Sequence, residues 1–167
     1  MSSEQSEFGG LLRGIVVDNE DPLKLGRLKV RIQSAYGDQP VDNLPWAWPC
    51  FPYGGMHEMC AYAIPEKDAG VWVIFQNKDG QPDTTFPVWL GVWQSQKEVP
   101  SEIGDKSHEY KEFKTKSGNY ILFCDKEGEE FIEIKDKEGS YILMKDGNIE
   151  IKAAKNIKFT ALRIDLN

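Results

Sequence analysis

The last third of the chain repeats itself, and that repetition limits the fold more than any other feature. Short runs recur at 119–123, 131–134, 140–144, 148–151, 157–159 and 163–166, and most alternate apolar with charged residues. Alternation with period two is the pattern of a strand with one buried face. The intervals carry turn chemistry in Glu127-Gly128, Glu138-Gly139 and Asp146-Gly147. Gly118-Asn-Tyr-Ile-Leu returns as Gly139-Ser-Tyr-Ile-Leu, and Phe131-Ile-Glu-Ile-Lys returns as Asn148-Ile-Glu-Ile-Lys. Ile149, Ile151 and Ala153 reappear eight residues later as Ile157, Phe159 and Ala161. A step near eight suits one strand and one corner stacked again and again, as in a β-solenoid or an intertwined β-prism.

A single ribbon of this kind has one apolar face and two open edges. Burial against other copies resolves both problems, most simply with three chains wound about a common axis. The alternative is an ordinary β-meander packed on the front of the chain. In the wound form, strands stack at ~4.8 Å and successive strands of one chain lie ~14 Å apart, so six runs give a needle of roughly 70–80 Å. The residues expected inside are Ile132, Ile134, Ile149, Ile151, Ile157, Phe159, Ile164 and Leu166. Runs 120–123 and 141–144 are apolar on both sides, so the pattern does not orient them.

The front of the chain reads differently. Residues 1–10 are polar and end in Gly9-Gly10, a flexible terminus. Strands are expected at 11–17, 28–32, 46–48, 71–75 and 86–93, with turns or loops between them, including 77–83 around Asp79-Gly80. Leu28, Val30 and Ile32 point inward in this reading, and Lys29 and Arg31 outward. Five or six strands in so short a block, with no helical period, predict a small closed barrel at 11–93. A charged stretch at 94–113 reads as a linker, and 114–167 as the repeat domain. The fold class is therefore all-β: a front barrel followed by a trimeric, intertwined β-helix.

Composition excludes several functions. The formal net charge is −7, and residues 1–110 hold nine basic against sixteen acidic groups, a poor balance for binding phosphate backbones. Three cysteines without CxxC spacing read as reduced thiols of a protein made in a cytoplasm. No apolar run approaches the ~20 residues of a membrane span. Met56, His57, Met59 and Cys60 crowd one loop, but with two histidines in the chain no metal site is expected. No GxSxG, HExxH or phosphate-loop pattern occurs, and no Ser or Cys has a visible His partner. The chain is expected to have no catalytic or cofactor-binding residues and not to be an enzyme.

The front block resembles a known family. Ile15-Val-Val-Asp18 is followed by Asp21-Pro22-Leu-Lys-Leu-Gly26-Arg27 and an alternating basic strand, then by Trp46, Gly70 to Phe75, Asp79-Gly80 and Phe86-Pro-Val-Trp-Leu-Gly91. In this order the set is similar to the OB-fold domain of contractile-tail spike proteins, which include phage baseplate assembly protein V and the VgrG proteins of type VI secretion. The resemblance marks Asp21, Pro22, Gly26, Arg27, Trp46, Gly70, Phe75 and Gly91 as the structural motif. It implies a homotrimeric central spike in a virion tail baseplate, assembled in the host cytoplasm. Such a spike sits under a tail hub protein, touches the target membrane transiently and takes no nucleic acid. A PAAR-type tip protein would contact Asp165, Leu166 and Asn167. The lysozyme-like block of the phage T4 member has no counterpart here. Two competing readings are an OB-fold module for single-stranded nucleic acid or oligosaccharide and a hydrolase with an unrecognised site.

Overall fold

The computed structural model describes residues 8–95, 98–103 and 107–163, and divides the chain into two compact units, 1–97 and 98–167. Its strands are β1 (Leu12–Asp18), β2 (Leu28–Arg31), β3 (Trp46–Pro49), β4 (Gly54–Met56), β5 (Met59–Cys60), β6 (Gly70–Lys78), β7 (Gln81–Trp93), β8 (Tyr110–Lys114), β9 (Tyr120–Cys124), β10 (Phe131–Lys135), β11 (Tyr141–Lys145) and β12 (Asn148–Lys152).

The first unit is a closed barrel in the order β1-β2-β3-β7-β6, in which only β3 and β7 run parallel. Closure leaves no open edge, the expected solution for a small all-β block. The alternation in β2 and β6 fills the interior. Leu28, Val30, Ile32, Val71, Val73 and Phe75 are buried together with Val16, Ala47 and Trp89. Lys29 lies on the outer side but is not free in water. Its ammonium donates to the Val41 and Asp42 carbonyls at 2.9 and 3.1 Å, and the residue is buried. A one-turn helix, Gln33–Tyr36, interrupts the loop after β2, and the Tyr36 hydroxyl donates to the Thr84 carbonyl at 2.7 Å.

Two loop expectations for this unit need correction. The 77–83 stretch is a tight hairpin, because Asp79 (φ 52°) and Gly80 (φ 82°) both take left-handed backbone, and Lys78 pairs directly with Gln81. Two consecutive positive φ values make the two-residue turn whose twist suits antiparallel strands. The Gly- and Met-rich stretch after Pro49 likewise folds back as the β4–β5 hairpin, with Met56 and Met59 exposed.

The second unit is one antiparallel sheet in the order β12-β11-β10-β9-β8. Strand β8, apart from its last residue Lys114, and a short 3-10 turn before it lie within the stretch read as a linker. Successive runs are hydrogen-bonded neighbours in one chain, a meander over 110–152. A wound chain would instead separate them with strands of its siblings. The reason is local. Asp146 (φ 51°) and Gly147 (φ 75°) close β11 and β12 into a tight hairpin, and Asp136 caps the β10–β11 turn by accepting from the backbone N–H groups of Glu138 (2.8 Å) and Ser140 (2.9 Å). At ~4.8 Å per strand, five strands span only about 20–25 Å, well short of the length expected from winding. The run at 157–159 forms no strand, and Ile157 and Phe159 are exposed.

Candidate functional site

Asp21 organises the turn that leads into β2. Its Oδ1 accepts from the Leu23 N–H at 3.0 Å, and its Oδ2 accepts from Leu25 at 2.8 Å and Arg27 at 3.3 Å. The Arg27 guanidinium closes the bracket, with Nη2 at 2.6 Å from Oδ1 and Nε at 3.2 Å from both oxygens. Pro22 occupies the second position of the turn in which the Lys24 N–H donates to the Asp21 carbonyl. The Arg27 bond, seconded by the three backbone donors, holds the Asp21 carboxyl well below its ordinary range, against an opposing effect of burial. The guanidinium also stands 5.5 Å from the rings of Trp46 and Trp48, which share the outer face of β3.

Gly26 completes this bracket. Its φ is +76°, and a Cβ there would come within 2.8 Å of both Ile64 and Phe51. Its carbonyl accepts from the buried Trp89 indole N–H at 3.1 Å. With both Asp21 oxygens occupied, the motif has no vacant acceptor for a ligand. Its chemistry is that of a clamp fixing β2 to β7.

The other motif residues are dispersed around the barrel. A Cβ on Gly70 would fall 2.3 Å from the Trp93 ring, so the glycine lets that indole lie across the start of β6. The Arg13 guanidinium stands 5.3 Å from both Trp72 and Trp93. Phe75 is buried and meets Tyr36 edge-on at 6.0 Å. Gly91 has open space around its Cβ position, and nothing in the structure requires a glycine there.

The second unit carries the larger surface. Register places Phe113, Ile121, Ile134, Ile142 and Ile151 in one row across all five strands. Lys111, Phe123, Ile132, Met144 and Ile149 form the next row on the same face. Nine of these ten side chains are apolar, and most are exposed, Ile149 at 67% and Phe113 at 61%. The first row lines an open trough of about 490 Å³, and the second row, apart from Lys111, lines one of about 460 Å³. Ile132, Ile134, Ile149 and Ile151 therefore share one face, and the two runs that the pattern left unoriented add Ile121, Phe123, Ile142 and Met144 to it. Ile164, Asp165, Leu166 and Asn167 lie outside the described residues.

The opposite face carries most of the sheet's hydrogen-bonded polar side chains. Tyr120 donates to Glu133 at 2.5 Å, and Tyr141 donates to Glu150. Burial first, and then the Glu133 bond, raise the Tyr120 hydroxyl above its ordinary value. The ammonium groups of Lys114 and Lys135 each stand 5.9 Å from the Tyr120 ring, and that of Lys152 stands 5.6 Å from Tyr141. Leu122 and Cys124 are buried on this side. The 98–103 segment is fixed here by an ion pair of Glu102 with Lys114. Among the described residues, both oxygens of Glu112 are shielded from water without a hydrogen-bond partner. Burial, and then the Glu102 charge, push that carboxyl up from its ordinary value. Sequence reasoning missed Glu112, because the charged stretch 94–113 that holds it was read as a linker rather than as part of a strand.

A closed five-strand barrel with these connections, fastened by an Asp–Arg clamp, has the architecture of an OB-type domain. A family model described as the type VI secretion system/phage-baseplate injector OB domain matches residues 12–93. The barrel of this chain belongs to that family, which places the protein among components of a phage tail baseplate or a type VI injector. No match to a curated protein was found.

Proposed function

We propose that the protein is the central spike of a contractile injection machine and that three copies build its shaft by closing their apolar sheet faces on one another. The observation that carries this is the double row on β8–β12. A face of nine apolar side chains broken only by Lys111 is larger than a lone domain leaves in water. Its other side already has its Tyr–Glu and Lys–Tyr partners. Three sheets meeting face to face make a triangular prism with a dry axis and a charged exterior. Each chain supplies one wall over 110–152. Residues 153–163, with Ile157 and Phe159 in phase with Ile149 and Ile151, continue as the part that winds around the siblings.

The function is mechanical. The barrels sit under a tail hub protein, and the shaft points at the target envelope and meets its membrane transiently during puncture. A PAAR-type protein covers the far end, a partner that rests on the family resemblance alone. The acidic charge balance supports a reading without nucleic acid. The test is electron microscopy of particles from a producing strain with and without this gene. The proposal expects an axial density below the hub that is lost on deletion, and an unchanged density would refute it.

A further inference from the structure

The tip of the β4–β5 hairpin gathers soft donor atoms that neither the Asp–Arg clamp nor the apolar sheet uses. Met56 and Met59 pair directly across it. His57 and Glu58 make the turn between them, and Glu58 takes left-handed backbone (φ 56°), uncommon for a long side chain. That turn brings the chain back after two residues, so the two thioethers rise from the same face of the ribbon. Gly54 sets how closely the strands lie, because a Cβ there would fall 2.5 Å from the Met59 carbonyl. The Ala61 N–H donates to the Tyr53 carbonyl at 3.1 Å and continues the pairing away from the tip. Both thioethers face water, Met56 at 74% exposure and Met59 at 42%. The His57 imidazole is exposed as well and, among the described residues, has no hydrogen bond or ion pair.

We infer that Met56, His57 and Met59 form a binding site for a soft monovalent cation of the Cu(I) class. Ligand chemistry is the first argument. Thioether sulfur selects Cu(I) over hard cations, and imidazole suits copper equally. Reach is the second. Directly opposed residues of an antiparallel pair hold their Cβ atoms ~4.5–5.5 Å apart. Metal–sulfur bonds of roughly 2.3 Å put two sulfurs on opposite sides of one ion about 4.6 Å apart. The unbranched methionine side chains have the freedom to close that geometry. His57, next to Met56 in the turn, supplies the third donor.

A shortage of histidines argues against a metal site along the sequence, but the strand pairing brings two thioethers together and removes the need for more. Cys60 follows Met59 on β5 and by alternation belongs to the opposite face, so the thiol is no part of the site. A two-stranded ribbon is only marginally stable by itself in water. An ion ligated from both strands ties this one at its open end. The inference does not depend on how copies of the chain assemble.

The test uses Ag(I), a redox-inert probe of the same class, in chloride-free buffer. It is added to the full chain with Cys50 and Cys60 replaced by serine, so that exposed thiols do not compete. The methionines are Met1, Met56, Met59 and Met144, and a 13C label on their methyl groups reports each one separately by NMR. The expected result is that the Met56 and Met59 signals move together and saturate at one Ag(I) per chain, with the His57 ring protons following. Calorimetry should find Ag(I) binding at least tenfold weaker in Met56→Leu/Met59→Leu, a change that keeps side-chain volume at two exposed positions, and several-fold weaker in His57→Ala. Undiminished binding in the double variant overturns the site. So do shifts spread evenly over all four methyl groups, or a response to Zn(II) as large as that to Ag(I).

Discussion

Phe123 stands directly across from Ile132 on the β9–β10 ladder, and both side chains rise from the same face of the sheet. The pairing orients a run that is apolar on both sides. Leu122 and Cys124 turn to the other face, where they are buried, while Ile121 and Phe123 join the exposed isoleucines.

If that face closes on two siblings, a charge placed in it must separate them. Ile134→Asp would bring three carboxylates to a dry axis, and the desolvation cost is several kcal/mol per ion. The variant is expected to elute as a folded monomer, with the circular dichroism of its strands retained. Lys145→Ala, on the polar face, is expected to leave the trimer unchanged. Size-exclusion chromatography with light scattering separates the two outcomes.

The Asp21–Arg27 clamp gives a prediction for the barrel. Asp21→Asn removes the charge that Arg27 and three backbone donors are arranged to meet. Loss of one partner from a shielded pair should destabilise the unit by about 3 kcal/mol. The effect has a defined pH course. Because the folded-state carboxyl titrates below its ordinary value of 3.8, the clamp contributes fully at neutral pH and loses its contribution as pH falls below that value. Urea unfolding of wild type and variant should differ at pH 7 and converge in strong acid.

Glu112 gives the opposite sign. Its carboxyl is raised above its ordinary value of 4.5, so the folded state takes up a proton more readily than the unfolded chain. The charged form therefore costs stability at neutral pH, and that cost fades as pH falls through the raised value toward 4.5. Glu112→Gln is expected to raise the melting temperature of the second unit by a few degrees at pH 7, as ~1 kcal/mol does in a small domain. The gain should vanish in acid. Scanning calorimetry at the two pH values checks both parts.

The barrel was legible in the sequence because its signals are local and strong. Alternation at Leu28, Val30 and Ile32 and the Asp21-Pro22 turn placed its strands, and the structure fills the interior with those three side chains. The tail was legible as strands but not as connections. Asp79-Gly80 and Asp146-Gly147 are two-residue hairpin turns; reading the first within a loop, and the repeat around the second as strands wound with those of sibling chains, hid two direct strand pairings. The unoriented runs were out of reach for another reason. In a strand apolar on both sides, only the register with a neighbour distinguishes the faces, and register is a property of pairing.

The division of labour between the units can be tested by truncation. Residues 1–97 form a compact unit with its own buried core, so a fragment ending there should stay soluble and folded. It is expected to be monomeric at micromolar concentration, because the apolar double row proposed to join the copies lies in the second unit. A stable trimer from this fragment would transfer the assembling role from the tail to the barrel.

The most direct measurement is equilibrium sedimentation of the intact chain at neutral pH across the micromolar range. The account predicts a single species at three times the chain mass of 19.0 kDa, independent of salt because apolar contacts hold it. A well-ordered species at one chain mass, with the amides of β8–β12 protected from exchange, would contradict it.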